Sequence, residues 1–208
     1  MKNLNNKLEQ GIFETLLGCL LGDAHIGIHG GKVYMTFEQS LKHKEYIMSI
    51  HDLLKGIVGL EVSDIKYYKR KDSRHNSVNE SIYFKVYGSE LLAPLAAIFL
   101  SDSEKKVLPP SVEEHLSPIA LAYWICDDGQ LVKNGGITLC TDNYTLDEVN
   151  ILIQALAGKY HLKCTIHLKK GKLNKIYPRI YIGKNSFDAL KPLILPHVHK
   201  IFHYKLHI

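Results

Sequence analysis

The sequence predicts an α+β fold built as a tandem repeat of two α-β-β-α-β-β-α units related by a pseudo-two-fold axis. Three observations carry this. The nonamers Leu16-Leu17-Gly18-Cys19-Leu20-Leu21-Gly22-Asp23-Ala24 and Leu121-Ala122-Tyr123-Trp124-Ile125-Cys126-Asp127-Asp128-Gly129 are both apolar, carry an acid at the eighth position and start 105 residues apart. Each is followed by the same succession of helices and antiparallel hairpins, mixed in the α+β manner. The spacing repeats as well, with Gly88 to Lys106 spanning 18 residues and Gly183 to Lys200 spanning 17. The halves are expected at 1–110 and 111–208, parted at Pro109-Pro110, where two prolines exclude regular structure.

In the first half, helical periodicity runs from about Phe13 to Leu21, after which Gly22, Gly27, Gly30 and Gly31 punctuate a β-hairpin containing Lys32–Phe37. A helix over Lys44–Ile57 places Ile47, Ile50, Leu54 and Ile57 on one face, with Gly59 as its expected stop. Strands follow around Ile65–Tyr68 and Ile82–Tyr87, joined by a polar segment from Lys69 to Glu80, and a helix runs from Ser89 to about Leu100. The second half replays this order. It has a helix over Pro118–Cys126, a hairpin around Gly135-Gly136, a helix over Leu146–Tyr160, strands around Cys164–Lys169 and Ile176–Ile182, and a helix from Ser186.

Composition excludes several classes. Of 208 residues, 46% are hydrophobic and 23% charged, with no long low-complexity tract, which is the balance of a folded globular chain rather than a disordered one. A formal net charge of +5 and a pI near 8.9 suit a polyanionic partner. The positive charge is concentrated in Lys66-Tyr67-Tyr68-Lys69-Arg70-Lys71, with Arg74 close behind, and in Lys163, Lys169, Lys170, Lys172, Lys175 and Arg179. Cys19, Cys126, Cys140 and Cys164 show no short paired spacing and are expected to be reduced and structural. Met1 to Gln10 is too polar for a signal segment, and no apolar run reaches the roughly 18 residues of a membrane span. A soluble intracellular protein of a reducing compartment, without a membrane partner, is the expectation.

The nonamers carry the chemistry. Gly18 and Gly22 share one face of the first helix and Ala122 and Cys126 one face of the second, so small residues would let the two helices approach closely. Asp23 and Asp128 then stand at helix C termini, where unpaired carbonyls and the negative end of the dipole add to a carboxylate's attraction for a cation. Hard oxygen donors of this kind suit Mg²⁺. The plainer alternative is that both acids merely end core helices, but the dipole disfavours Asp there, and a local rule broken twice points to function.

These nonamers resemble the signature of the LAGLIDADG homing endonucleases, in the single-chain form that carries two motifs. Leu121 to Gly129 matches at its first, second, eighth and ninth positions, while Leu16 to Ala24 keeps the first Leu, the Gly at position three and the eighth acid but ends in Ala. The resemblance implies that Asp23 and Asp128 bind divalent metal, with the carbonyls of Gly22 and Asp127 completing the shell. Mg²⁺ is implied, with Mn²⁺ substituting and Ca²⁺ binding without efficient cleavage. It further implies a lysine near each scissile phosphate. Matching Lys-Val-Leu-Pro gives Lys106, and matching the segment after Leu195-Pro196 gives Lys200, with Lys105 and Lys205 as the competing positions. Gln39 and Thr141 occupy the places of a water-orienting polar residue, although they do not match each other.

The resemblance implies double-strand cleavage across the minor groove of duplex DNA, leaving 3′ overhangs, with both sheets in the major groove. Unlike halves imply a long asymmetric target, and two motifs in one chain imply a monomer. Candidate DNA contacts are His29, Lys32, Tyr34, Lys66, Tyr68, Lys69, Arg70, Lys85, Lys133, Lys169, Lys172, Arg179 and Tyr181, none assigned a base because about half or more of such hydrogen bonds go to phosphate and sugar. An intron RNA maturase or a non-cleaving DNA-binding protein are the rival readings, and retention of both acids favours cleavage. An organelle-encoded protein needs no transit peptide, which leaves a mitochondrial location open. His197, His199, His203 and His207 suggest a basic face near DNA more simply than a zinc site, which would want Cys or acidic partners. Trp124, between apolar neighbours, is expected in the core.

Overall fold

The computed structural model describes residues 8–72, 77–171 and 174–208. It is α+β, as expected, and divides into two compact units. One comprises the chain up to Phe13 together with Asp23–Val107, and the other comprises Glu14–Gly22 and Leu108–Ile208. The division at Val107 lies close to the paired prolines. The first motif helix, however, belongs by its contacts mainly to the second unit.

In the first unit, strands β1 (His25–His29), β2 (Lys32–Ser40), β3 (Glu61–Val62), β4 (Lys66–Asp72) and β5 (Ser77–Tyr87) form one antiparallel sheet. Its order is β1-β2-β5-β3, and β4 pairs with the remaining length of β5. Strict alternation puts Val33, Met35 and Phe37 of β2 and Ile82, Phe84 and Val86 of β5 on the buried face. Across the pair the rings of Phe37 and Phe84 stack 4.9 Å apart. Two helices cover this face, α2 (Lys44–Lys55) through Tyr46, Ile47, Ile50 and Leu54, and α3 (Ser89–Phe99) through Leu91, Leu92, Leu95 and Phe99. Both sets recur at spacings of three and four, the stripe that a sheet-covering helix requires.

The ribbon β4–β5 is longer than expected, because residues 69–72 and 77–80 are strand rather than connector. Apart from the exposed Val78 its outer part is polar, so no hydrophobic alternation announces it. Antiparallel pairing and cross-strand contacts such as Lys69 with Glu80 at 2.5 Å hold it instead.

In the second unit, β6 (Gly129–Leu131), β7 (Ile137–Leu139), β8 (Cys164–Lys170) and β9 (Ile176–Ile182) form an antiparallel sheet in the order β6-β7-β9-β8. Its helices include α4 (Val112–His115), α5 (Pro118–Asp128), α6 (Leu146–Tyr160) and α7 (Lys184–Ile194). Helix α1 (Gln10–Leu21) packs here from Glu14 onward. The Ser117 side chain caps α5 by accepting from the Ala120 amide, with Pro118 in the first turn. The short helix α4, the strand β3 and a 3₁₀ turn over Lys200–Leu206 had no sequence signal strong enough to forecast them.

Helix α6 starts in a full capping box, in which Thr145 accepts from the Glu148 amide while the Glu148 carboxylate accepts from the Thr145 amide at 2.7 Å. Thr145→Ala is expected to cost about 1 kcal/mol. The check is a lowered urea midpoint for the variant with Thr145→Ser close to the parent, and equal midpoints for all three proteins would refute it. Among the described residues no helix is long and apolar enough to cross a membrane.

Candidate functional site

The site begins with the close approach of α1 and α5. A Cβ on Gly18 would stand 2.3 Å from the Ala120 carbonyl oxygen and 2.8 Å from Tyr123 Cβ, and one on Gly22 would stand 2.6 Å from Asp127 Cβ. The expectation of close backbone packing at Gly18 and Gly22 therefore stands. Its partner face needs correction. Ala120, Tyr123 and Asp127 face the glycines, whereas Cys126 turns toward His199 and Lys205, and burial pushes its thiol up to about 12. Tyr123 shares a hydrogen bond with Thr15, and burial likewise raises its phenol to about 12.

In the first unit, Asp23 lies just past the end of α1, and Gln39, reaching from β2, donates through Nε2 to Asp23 Oδ2 at 2.5 Å. The other end of the amide is also fixed, with Gln39 Oε1 3.0 Å from His43 Nδ1, so that ring nitrogen carries the proton. Lys106 donates through Nζ to the Ala24 carbonyl at 2.8 Å, one residue beyond the carboxylate. Asp23, Gln39 and Lys106, chosen from sequence, thus converge. His25 opens β1, and its pKa is lowered by burial and then by Lys106 and Lys85.

In the second unit, Asp128 is the last residue of α5, and the indole N–H of Trp124, one turn earlier, donates to Asp128 Oδ2 at 3.3 Å. Trp124 is fully buried, as expected, but it also orients the motif acid. The two lysine candidates differ sharply. Lys200 is exposed. Lys205 is 5% exposed and donates to the carbonyls of Ile125 at 3.1 Å and Cys126 at 2.5 Å. A cation there meets the negative end of the α5 dipole. The geometry therefore favours Lys205, the competing choice, over Lys200 as the counterpart of Lys106. Thr141 is a second correction. Its hydroxyl is fully buried and donates to the Pro178 carbonyl at 2.6 Å, so it cannot reach a water at the site. Nearby, Tyr144 donates to the Leu21 carbonyl at 2.8 Å, closing the end of α1, and burial raises its phenol pKa.

The outward sheet faces carry most of the proposed DNA contacts. Register aligns His29 with Lys32, and Thr36 with Lys85, on the side opposite the first unit's core, and the same side carries Tyr34, Lys66, Tyr68 and Arg70. The cations stack on aromatic rings, Lys85 5.1 Å from the Tyr34 centroid and Arg70 5.0 Å from that of Tyr68. Strand parity turns Lys69 to the opposite face, where Glu80 pairs with it. In the second unit Lys169, Arg179 and Tyr181 share the outward face, and Lys133 is exposed in the β6–β7 turn. Arg179 is committed to Asp142, however, and Tyr181 stacks on His167 at 4.8 Å. Lys172 and Arg74 lie outside the described residues.

In each unit the motif carboxylate and the backbone carbonyls beside it are oxygen donors, the chemistry that suits a hard divalent cation that keeps several waters. Among the described residues, no group of three or more His, Cys, Asp or Glu converges as a closed zinc site would require. The C-terminal histidines instead make local bonds, His199 Nδ1 with the Ile201 amide and His203 Nε2 with the Val198 carbonyl. The orienting role of Trp124 had one sequence signal, its position a helical turn before Asp128. Tyr144 and Asp142 had none.

A family model described as the LAGLIDADG DNA endonuclease family matches residues 13–190. The chain is 32% identical over 206 residues to the cytochrome b mRNA maturase bI2 of Debaryomyces hansenii, an alignment covering 98% of this chain and 76% of that protein. It is 29% identical over 199 residues to the probable intron-encoded endonuclease 1 of Wickerhamomyces canadensis, covering 93% and 82% of the two chains. Among solved structures, that of the homing endonuclease I-WcaI bound to its DNA recognition sequence aligns with a TM-score of 0.81 at 26% identity, over 96% of this chain and 87% of that one.

Proposed function

Because this chain belongs to the LAGLIDADG DNA endonuclease family, with a match over residues 13–190, we propose that it is a homing endonuclease that hydrolyses both strands of a long asymmetric DNA site with the help of a divalent metal. The observation that carries this reading is the convergence of Gln39 and Lys106 on the end of the first motif, where Asp23 projects. Asp23 and Asp128 would hold Mg²⁺, aided by the backbone carbonyls of Gly22 and Asp127. Bound there, the ion would lower the pKa of water and stabilise charge on the phosphoryl oxygens.

The protein's own groups do the rest. Gln39 and Trp124 fix the carboxylates in orientation, and Lys106 offsets charge that develops as water adds to phosphorus and the bond to the leaving sugar oxygen breaks. In the second unit this role falls to Lys205 rather than Lys200. Tyr34, Lys66, Tyr68, Arg70, Lys85 and Lys169, with His29, Lys32, Lys133 and Tyr181, form the surface offered to DNA. The motif repeat supports action as a monomer, the family resemblance implies 3′ overhangs, and the similarity to a yeast cytochrome b mRNA maturase supports a mitochondrial location should the chain be organelle-encoded. A second reading, assistance to intron RNA splicing, is favoured by the similarity to a maturase.

The test is incubation with duplex from the uninterrupted allele of the host gene, in Mg²⁺, Mn²⁺, Ca²⁺ or EDTA, followed by mapping of cut ends. One staggered cut in Mg²⁺ or Mn²⁺, with binding but little cutting in Ca²⁺, is expected. Metal-independent cutting would overturn the mechanism, and tight binding of intron RNA without any cut would move the reading to the maturase.

A further inference from the structure

Arg179 of β9 is arranged unusually for a residue on a nucleic-acid face. Its Nε donates to Asp142 Oδ1 and one terminal nitrogen to Asp142 Oδ2, both at 2.6 Å, and its side chain is only 17% exposed. A guanidinium held in this bidentate fork is rigid. Its other terminal nitrogen donates to Gln130 Oε1 at 3.2 Å. Arginine has no acceptor, so the Gln130 atom facing it must be the amide oxygen, which removes the usual ambiguity of a glutamine flip. Cys140 Sγ also approaches this oxygen, at 3.9 Å. Burial raises the Cys140 pKa, so the sulfur keeps its proton and acts as a weak donor. Both lone pairs of Oε1 are then engaged.

Gln130 itself is exposed on β6, two residues beyond Asp128. Register pairs it with Thr138, and Thr138 in turn with Tyr181, so it belongs to the outward face of the second sheet. We propose that Gln130 is a specificity-determining residue of the endonuclease, locked by Arg179 so that it offers only the two amide N–H donors, and that it selects a base edge bearing acceptors close to the cut. This assignment rests on the DNA-cleaving reading above. A free glutamine reads adenine by donating to N7 and accepting from N6, whereas a donor-only amide reads guanine N7 and O6 or thymine O4 and rejects the amino group of cytosine. Arg179 and Asp142 are positioning residues, which explains why a basic side chain of this face is spent on a carboxylate.

The experiment uses the full chain and the cut site recovered from the uninterrupted allele, remade as a panel of duplexes in which each base pair is replaced in turn. Cleavage is measured for the parent, Gln130→Leu, Gln130→Glu and Asp142→Asn. The parent should discriminate about tenfold or more at one pair near the cut, as a good base contact does. Gln130→Leu should flatten that position alone, Gln130→Glu should shift its preference toward a pair presenting an amino donor, and Asp142→Asn should relax the same position. A uniform loss across the panel would make Gln130 a phosphate contact or a fold determinant and overturn the proposal, as would unchanged profiles. If Gln130→Leu fails to fold, the near-isosteric Gln130→Glu decides by the direction of its shift. A parent that neither cuts nor holds duplex would instead refute the DNA reading on which the proposal stands.

Discussion

Asp128→Asn and Asp23→Asn should each abolish the double-strand cut, lowering its rate by about a thousandfold or more, while duplex binding in Ca²⁺ stays within a few fold of the parent. The magnitude follows from the several kcal/mol that a bound metal contributes to charge stabilisation at phosphorus, at about 1.4 kcal/mol per factor of ten. Both substitutions are conservative in shape. Asparagine keeps an oxygen to accept from the Trp124 indole at position 128, and Asp23 is solvent-exposed, so neither change should disturb folding. The measurement is conversion of supercoiled plasmid bearing the site, which separates linear from nicked product. Full linearisation by either variant would remove that carboxylate from the chemistry.

Gly18→Ala should destabilise the protein by about 2 kcal/mol, against the ordinary expectation for a helical glycine. Replacing Gly by Ala inside a helix gains about 1 kcal/mol of propensity. Here the new Cβ would stand 2.3 Å from a backbone carbonyl oxygen and 2.9 Å from the Ala120 Cα, atoms that cannot swing aside as a side chain could. Overpacking of a tight contact costs about 1–3 kcal/mol and more when backbone must shift, so the steric term wins. Gly56→Ala is the matched control, because its added Cβ meets nothing within 4 Å and its φ is −80°. Urea unfolding followed by helical circular dichroism gives both values. If Gly18→Ala unfolds at the same or higher urea than the parent, the close approach of α1 to α5 is wrong.

Most of the fold could be read from the chain, because the core strands alternate cleanly and the helices carry stripes at spacings of three and four. Met35 and Phe37 against Ile82 and Phe84 are examples, as are Ile47, Ile50 and Leu54. The outer ribbon of β4 and β5 could not, since a strand exposed on both faces has no period to detect, and for the same reason the pairing of Lys69 with Glu80 on the other face could not be read. The site was legible where residues lie near a motif in sequence or on a strand of known register, as with Asp23, Gln39 and Lys106. It was not legible where burial decides. Thr141 and Lys200 were chosen by matching to the family's pattern, but a hydroxyl turned into the core and an ammonium left in solvent are outcomes of packing. The choice of Lys205 depends on two carbonyls about 80 residues away in the chain.

The two motif acids are not held alike. Asp23 is gripped by an amide that arrives from a strand, and Asp128 by an indole from its own helix. An internal duplication has therefore lost its symmetry at the point where a perfect palindrome would have needed it. On the proposed function, each strand of the substrate would have its own separately adjustable reaction centre. On that reading, a change at Gln39 is expected to slow one nick and spare the other, which would suit the scaffold to conversion into a nickase.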